Sequence, residues 1–504
     1  MKALDYHQAT KHSWASIHAN PHRLDYANMP RPFKIYSDLE RRPLPAELRE
    51  TGVPALSAVA SPGSTASGER VPGVEDLAAI LASVGITRRR AYPGGEMQFR
   101  GASCTGALYH IEVYIVCGDL AGLPAGVHQF QAHDFSICTL RSGDHRHALI
   151  EASDVNPEVA IAPAVLVLTS TWWRNAWKYQ ARMYRHAWWD SGCMVANLLA
   201  MAGALELPAS VVLGFADAPV NQLLDVDPAH EAALALIPLG RGGAPAPAPG
   251  PAIAALGLTT EPLSEYEVAY PEIAAAHADT ALAGGAAVWR GGLEAAAHAP
   301  PEAKLVALEA MTDDALPRES VDAVIHRRGS TRRFARKEMS FVQLSTILER
   351  TTGAIPADFI ASSGRPLTEL YIIVHAVDGV APGTYAYRRK ERALEPLRQG
   401  DFRREAGELG LGQELPADAS FNIYYLSDLD AVVERFGERG YRAAQIEGGI
   451  LGGKAYLASY ALRCGATGLT FIDDDVTEFF SPHAAGKSVM FLMAIGRPRR
   501  READ

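Results

Sequence analysis

The sequence predicts an α+β protein in which one plan is used twice, and three features carry that expectation. The first is an internal repeat. Residues 111–116 (IEVYIV) match residues 368–374 (TELYIIV), with Glu112 over Glu369 and Tyr114 over Tyr371 at an offset of 257. The same offset sets Gly126 on Gly383, Arg182-Met183-Tyr184-Arg185 on Arg439-Gly440-Tyr441-Arg442, and Asp190-Ser191-Gly192 on Glu447-Gly448-Gly449. After a slip to 256 it pairs Phe215-Ala216-Asp217 with Phe471-Ile472-Asp473 and Gly240-Arg241 with Gly496-Arg497. A period this long marks a duplicated domain, not a solenoid. The second feature is a set of β-branched and aromatic runs, and the third is a pair of long stretches poor in helix breakers.

Taken in order, each half begins with a helix, at about 75–84 and at 341–349. A β-rich hairpin region follows, then helices, then a final strand. Residues 107–118 (ALYHIEVYIVCG) and 368–376 (TELYIIVHA) have the composition of sheet strands, and residues 164–170 (AVLVLTS) pair with 421–428 (FNIYYLSD) as a third strand. Residues 172–205 and 429–462 contain few breakers apart from glycines and read as helices. Between the halves, residues 241–257 (RGGAPAPAPGPAIAALG) suit a semi-rigid connector. A chain of 504 residues would suggest three domains by length alone. The repeat makes it two: residues 1–241, a connector over 242–300, and residues 301–504.

Composition sets the limits. Hydrophobic residues at 48% and charged residues at 21% describe a globular chain able to bury a core. With 48 Lys+Arg against 58 Asp+Glu, the net charge of −10 argues against a sequence-independent nucleic-acid or anionic-membrane binder. The N-terminal residues lack the apolar stretch of a signal peptide, and no apolar run reaches a membrane span, so a cytoplasmic location is expected. Five cysteines, none in a C-x-x-C pair, support neither a disulfide framework nor a thiolate metal site, and no metal is expected.

Two segments carry chemistry. In residues 326–334 (HRRGSTRRF), Ser330 and Thr331 lie between arginines, and guanidinium forks beside a hydroxyl are what a phosphate monoester needs. The plainer alternative is a solvated basic stretch ahead of a helix. Residues 172–193 hold five of the seven tryptophans. An aromatic stripe at helical spacing is more often core than a cofactor site, but within it Lys178 adjoins Tyr179. A lysine beside a tyrosine can lower the phenol pKa and provide a proton acceptor near neutral pH.

The two copies then diverge in a telling way. Arg182, Tyr184 and Arg185 persist as Arg439, Tyr441 and Arg442, whereas Lys178-Tyr179 becomes Arg435-Phe436. The arginine cluster in turn has no equivalent in the first half, where residues 61–65 (SPGST) stand opposite it. Each half holds what the other lacks, which predicts one composite site. Residues 63–70 (GSTASGER) have Glu69 where a phosphate loop needs lysine. Gly449 and Gly453 in residues 448–454 (GGILGGK) suit close helix packing, and residues 144–147 (DHRH) read as a polar turn.

These residues resemble the nitroreductase-fold flavoproteins. Residues 328–334 (RGSTRRF) look like the family's opening R-x-S-x-R-x-F signature, and residues 105–114 (TGALYHIEVY) and 496–498 (GRP) look like its later blocks. Tyr6-His7 with Thr10-Lys11-His12-Ser13, the Lys-Tyr pair and the tandem arrangement resemble the SagB/ThcOx-type dehydrogenase branch. That branch includes FMN-dependent enzymes that oxidise thiazolines and oxazolines in peptides. The resemblance implies two tandem nitroreductase-like α/β sandwich domains forming an intramolecular pseudo-dimer, with FMN between them.

It further implies that Arg328, Ser330 and Arg332 hold the FMN phosphate, aided by Arg497 or Arg499. Cys104, Thr105, Gly106, Ala107 and Leu108 would lie against the isoalloxazine, and Phe471 and Ile472 would approach its N5 side through the backbone. Cys104 departs from the family's usual serine. The matching block of the second half has decayed to residues 360–364 (IASSG), which argues against a second FMN, although Thr10-Lys11-His12-Ser13 could stand in for the missing arginines there. Lys178 and Tyr179 would supply acid-base catalysis, with Tyr179 the acceptor and Lys178 polarising it.

The resemblance supports three functional readings. The first is a dehydrogenase for a small or peptide-borne azoline-like substrate, working beside peptide-modifying biosynthetic partners. The second is an NAD(P)H-dependent nitroreductase or quinone reductase. The third is a non-catalytic flavin-binding component of a biosynthetic complex. Substrate identity, the redox partner and any pairing of the pseudo-dimer into a homodimer stay open.

Overall fold

The computed structural model describes residues 2–61, 63, 68–92, 95–248, 253–284, 292–293, 304–360 and 365–499. Its strands in chain order are β1 (Arg41–Pro43), β2 (Ile86–Tyr92), β3 (Gly95–Arg100), β4 (Ile111–Cys117), β5 (Gly126–Gln131), β6 (Ser136–Ser142), β7 (Ala164–Thr171) and β8 (Glu231–Leu239). They continue as β9 (Val306–Ala307), β10 (Thr368–Val374), β11 (Gly383–Arg388), β12 (Ala393–Gln399), β13 (Phe421–Ser427), β14 (Gly465–Leu469) and β15 (Ser488–Gly496).

Two antiparallel sheets form, one from each half. The first runs β1-β6-β5-β4-β7-β8 and the second β14-β15-β13-β10-β11-β12-β9, while β2 and β3 make a separate hairpin. The central strands follow one order in both: β6-β5-β4-β7-β8 and β12-β11-β10-β13-β15. Every residue of β4, β7 and β8 is buried. Those strands are therefore covered on both faces, which is why they read as apolar runs with no polar alternation.

The cover comes from two 22-residue helices, Met183–Ala204 and Gly440–Ala461, which pack on each other across the halves. Glycine permits their close approach, since a Cβ at Gly449 would lie 2.5 Å from the Trp189 carbonyl oxygen. One hydrophobic core runs through both halves, joining Trp188 and Trp189 to Ile446 and Ile450.

Two matching ion clusters also lock the halves together. Asp473 accepts from Arg182 (2.9 Å) and Arg185 (2.5 Å), and Asp217 accepts from Arg439 (2.6 Å) and Arg442 (2.7 Å). Burial raises the pKa of each carboxyl, but the paired guanidinium groups outweigh it and hold both well below the usual carboxylate range.

A short helix clasps each cluster. From Ala3–Ala9, the Thr10 hydroxyl accepts from Arg185 Nε at 3.0 Å and the His7 carbonyl from the same guanidinium. From Pro271–Asp279, within the expected connector, the Thr280 hydroxyl accepts from Arg442 Nε and the His277 carbonyl from Arg442, both at 2.8 Å. No helix among the described residues is long and apolar enough to cross a membrane.

Candidate functional site

The expected helix over 172–205 is broken. It forms Trp172–Tyr179 and Met183–Ala204, with Gln180 between them at φ +49°, ψ −142°. The second half breaks at the equivalent Gly437, separating Leu429–Phe436 from Gly440–Ala461. Glycine reaches such a conformation freely, whereas glutamine holds it under strain. The break leaves Lys178 and Tyr179 on the last turn of a short helix. An N-terminal arm steadies that turn: His22 Nε2 bonds the Trp177 carbonyl at 2.8 Å, and Trp177 Nε1 donates to the Asp25 carbonyl at 2.9 Å.

That turn borders a cavity of 390 Å³ lined by both halves, within the size range of small-molecule sites. The first half contributes residues 103–107, Lys178, Tyr179, His186, Trp189, Asp190 and Cys193. The second contributes Ser330, Arg332, Gln413, Tyr456, residues 467–470 and Phe491. The structure thus gathers Cys104, Thr105, Gly106, Ala107, Ser330 and Arg332 around Lys178 and Tyr179. Among the described residues, neither Lys178 nor Arg332 has a hydrogen-bond or ion-pair partner. Two unpaired cations and the Ser330 hydroxyl, which sits 3.1 Å from the Tyr456 hydroxyl, face one space. This donor set fits a phosphate-bearing cofactor.

Asp190 organises the first-half wall. Its carboxylate accepts from the Thr105 amide (2.9 Å), the Thr105 hydroxyl (2.8 Å), Cys104 Sγ (3.2 Å) and His110 Nε2 (2.8 Å). His110 is held in turn by the Ser170 hydroxyl at 2.8 Å. This network fixes the turn in which Gly106 adopts φ +64°, and a Cβ on Gly106 would lie 2.9 Å from the Tyr179 hydroxyl. Only glycine lets that phenol rest on the turn. Burial and then Asp190 push the Cys104 thiol well above its ordinary pKa, so it stays a thiol.

The expectation that Lys178 lowers the Tyr179 phenol is reversed. Burial raises the phenol pKa, Asp190 and Cys104 raise it further, and Arg332 is the cation that opposes them. Lys178 Nζ lies 5.4 Å from the Tyr179 ring centroid, over the ring and without a bond to the hydroxyl. Tyr179 is therefore held as a phenol. His186 faces the same cavity, its ring standing edge-on to Tyr179 with centroids 4.4 Å apart. Its Nδ1 lies 2.9 Å from Asn175 Oδ1, an acceptor, which makes Nδ1 the donor and leaves Nε2 as the acceptor. Burial, then Arg182, lowers the His186 pKa well below its ordinary value, so the ring is neutral.

Six of the expected cofactor residues do not line this cavity. Arg328 is buried and donates to the carbonyls of Gly101 (2.9 Å) and Arg100 (3.1 Å). Leu108 belongs to the core. Phe471 packs on Trp189, and the Ile472 amide is taken by the Leu409 carbonyl at 2.9 Å, so the backbone facing the cavity is 467–470, just ahead of the expected pair. Arg497 and Arg499 line a separate open cleft of about 1010 Å³ with Arg336 and Arg463, and Arg497 donates to Gln343 Oε1 at 2.9 Å. Of the decayed block at 360–364, residues 361–364 lie outside the described residues, as do Pro62, Ser64 and Thr65. Thr10-Lys11-His12-Ser13 packs against the Asp473 cluster, where Lys11 pairs with Asp474 at 2.6 Å and the His12 amide with Asp473 at 2.8 Å.

Sequence reasoning missed Asp190, His110, His186 and Tyr456. Asp190 left one signal, in that the repeat keeps an acid there as Glu447 while the acid-base pair beside it changes.

Residues 100–241 match the model of the Nitroreductase family. A crystal structure of a protein assigned as a nitroreductase, from Anabaena variabilis, superposes over 99% of both chains with a TM-score of 0.76 and 26% identity, so the fold is nitroreductase-like throughout. A Methanocaldococcus jannaschii protein assigned as a nitroreductase is 28% identical over 162 residues, covering 32% of this chain and 77% of its own. The trifolitoxin-processing protein TfxB of Rhizobium leguminosarum bv. trifolii is 30% identical over 148 residues, covering 28% of this chain and 40% of its own.

Proposed function

We propose that the cavity between the halves holds FMN, a reading supported by the match of residues 100–241 to the Nitroreductase family model and by the nitroreductase-like fold. We further propose that the protein is an FMN-dependent dehydrogenase for an azoline-like substrate, small or carried on a peptide. The observation that carries this reading is the meeting of Ser330 and Arg332 with Lys178, Tyr179 and His186 in one cavity. The two halves then act as a pseudo-dimer within one chain, the second giving the phosphate grip and the first the acid-base groups.

When bound, the flavin supplies a hydride acceptor. The protein must do the rest. Dehydrogenation also removes a proton, and the groups facing the cavity that could move it are Tyr179 and His186. Tyr179, fixed as a phenol, donates a hydrogen bond to the substrate, and Lys178 provides positive charge beside it. Trp189 and Phe491 give the cavity an apolar wall that excludes water. The trifolitoxin-processing relative favours a biosynthetic setting with partner proteins.

The test is substitution in the FMN-loaded protein. Tyr179→Phe and His186→Gln should each keep bound flavin, seen in the visible spectrum, while turnover of an azoline substrate falls by about 10²–10⁴-fold. Loss of the flavin itself would assign these residues a structural role. The relatives assigned as nitroreductases favour a second reading, an NAD(P)H-dependent nitroreductase or quinone reductase.

A further inference from the structure

We infer that each chain binds a single flavin, because the half-site related to the cavity by the repeat is sealed by the protein's own residues 356–358. This rests on the reading of the cavity as a flavin site. The backbone at 467–470 that borders the cavity corresponds to the stretch around residues 211–214 in the first half, and in both halves it edges the sheet: Gly468 pairs with Met493 and Val212 with Leu236. There the likeness ends.

In the second half-site the chain itself occupies that edge. The Val211 amide donates to the Pro356 carbonyl at 2.8 Å, and the Asp358 amide returns a bond to the Val211 carbonyl at 3.0 Å. The Asp358 carboxylate then accepts from the Leu213 amide at 3.1 Å and the Gly214 amide at 2.8 Å. Their counterparts, Leu469 and Thr470, face the open cavity.

The lining has changed to match. Lys178 and Tyr179 become Arg435 and Phe436, whose side chains stack on each other at 5.0 Å. His186, Trp189 and Cys193 become Ala443, Ile446 and Ile450, all buried. Tyr456, whose hydroxyl meets Ser330 and accepts from the Gly468 amide at 2.6 Å, becomes the buried Leu199. The counterpart of Asp190, Glu447, is spent on the Leu367 amide (3.2 Å) and the Thr368 hydroxyl (2.7 Å). Among the described residues, backbone pairing, a carboxylate on the amides and the changed lining together close this edge to a second isoalloxazine. One copy keeps the chemistry and the other has become its scaffold.

The full chain, saturated with FMN and freed of unbound flavin by gel filtration, should carry one FMN per polypeptide. Cys104 is half-buried where the other four cysteines are fully buried, and it borders the open cavity. One equivalent of FMN should therefore slow alkylation of Cys104 by at least tenfold. Two FMN per chain would overturn the inference and leave the cavity's function standing, whereas one FMN that leaves Cys104 unprotected would put the flavin elsewhere and overturn the reading of the cavity. A chain that takes up no FMN would overturn the reading of the cavity itself.

Discussion

Replacing Asp190 by asparagine tests how the cavity is held. The carboxylate takes four hydrogen bonds, from the Thr105 amide and hydroxyl, Cys104 Sγ and His110 Nε2. A bond to a charged acceptor contributes about 1.5–3 kcal/mol against about 1 kcal/mol for a neutral one. Asparagine keeps the shape but loses the charge, so weakening four bonds by about 0.5–1 kcal/mol each predicts a loss of about 2–4 kcal/mol. The same change removes a negative charge that raises both the Cys104 thiol and the Tyr179 phenol. Both groups should then ionise at lower pH. Urea unfolding measures the first effect, and the pH dependence of Cys104 alkylation in the folded variant measures the second. Stability within about 0.5 kcal/mol of the parent, the usual range for a surface change, together with an unshifted alkylation profile would refute the role given to Asp190.

Other outcomes follow from the same contacts. Asp473→Asn and Asp217→Asn each strip the carboxylate from two buried arginines and should each cost about 3–5 kcal/mol in urea unfolding. Lys454 is buried with no hydrogen-bond partner among the described residues, and burial, then Arg389, lowers its pKa to about 7. Lys454→Met should raise stability by about 1–3 kcal/mol, read as a higher Tm. Burial lowers His12 to about 3, His277 to about 3 and His375 to about 4, helped by Arg182, Arg442 and Arg403 respectively. Their unfolded pKa is higher, so the unfolded chain binds the protons first. The stability they contribute is present above about pH 6.5 and falls with a limiting slope of about 1.4 kcal/mol per pH unit for each as pH drops toward 4, measurable by denaturation at fixed pH.

Much of the fold was legible because the repeat carries register as well as resemblance. β4, β5 and β6 each start 257 residues before β10, β11 and β12. The composite cavity was legible from what each copy had lost. The break at residue 180 was not, because glutamine signals no break, and only Gly437 at the matching position hinted at it. Adjacency also misled for Lys178 and Tyr179. Successive side chains on a helix point in different directions, so the ammonium rides over the ring while burial and Asp190 govern the hydroxyl. Asp190 and His186 look like ordinary members of an aromatic helix until folding brings Thr105 to one and Tyr179 to the other. The arginines at 497 and 499 match a pattern, yet the chain carries them to another cleft.

The central claim is that this cavity uses a bound flavin to oxidise an azoline-like substrate. Anaerobic mixing of the FMN-loaded protein with an azoline-containing peptide, followed by visible flavin absorbance, tests it most directly. The account predicts bleaching by the azoline and indifference to NAD(P)H. Rapid bleaching by NAD(P)H with none by the azoline would contradict it.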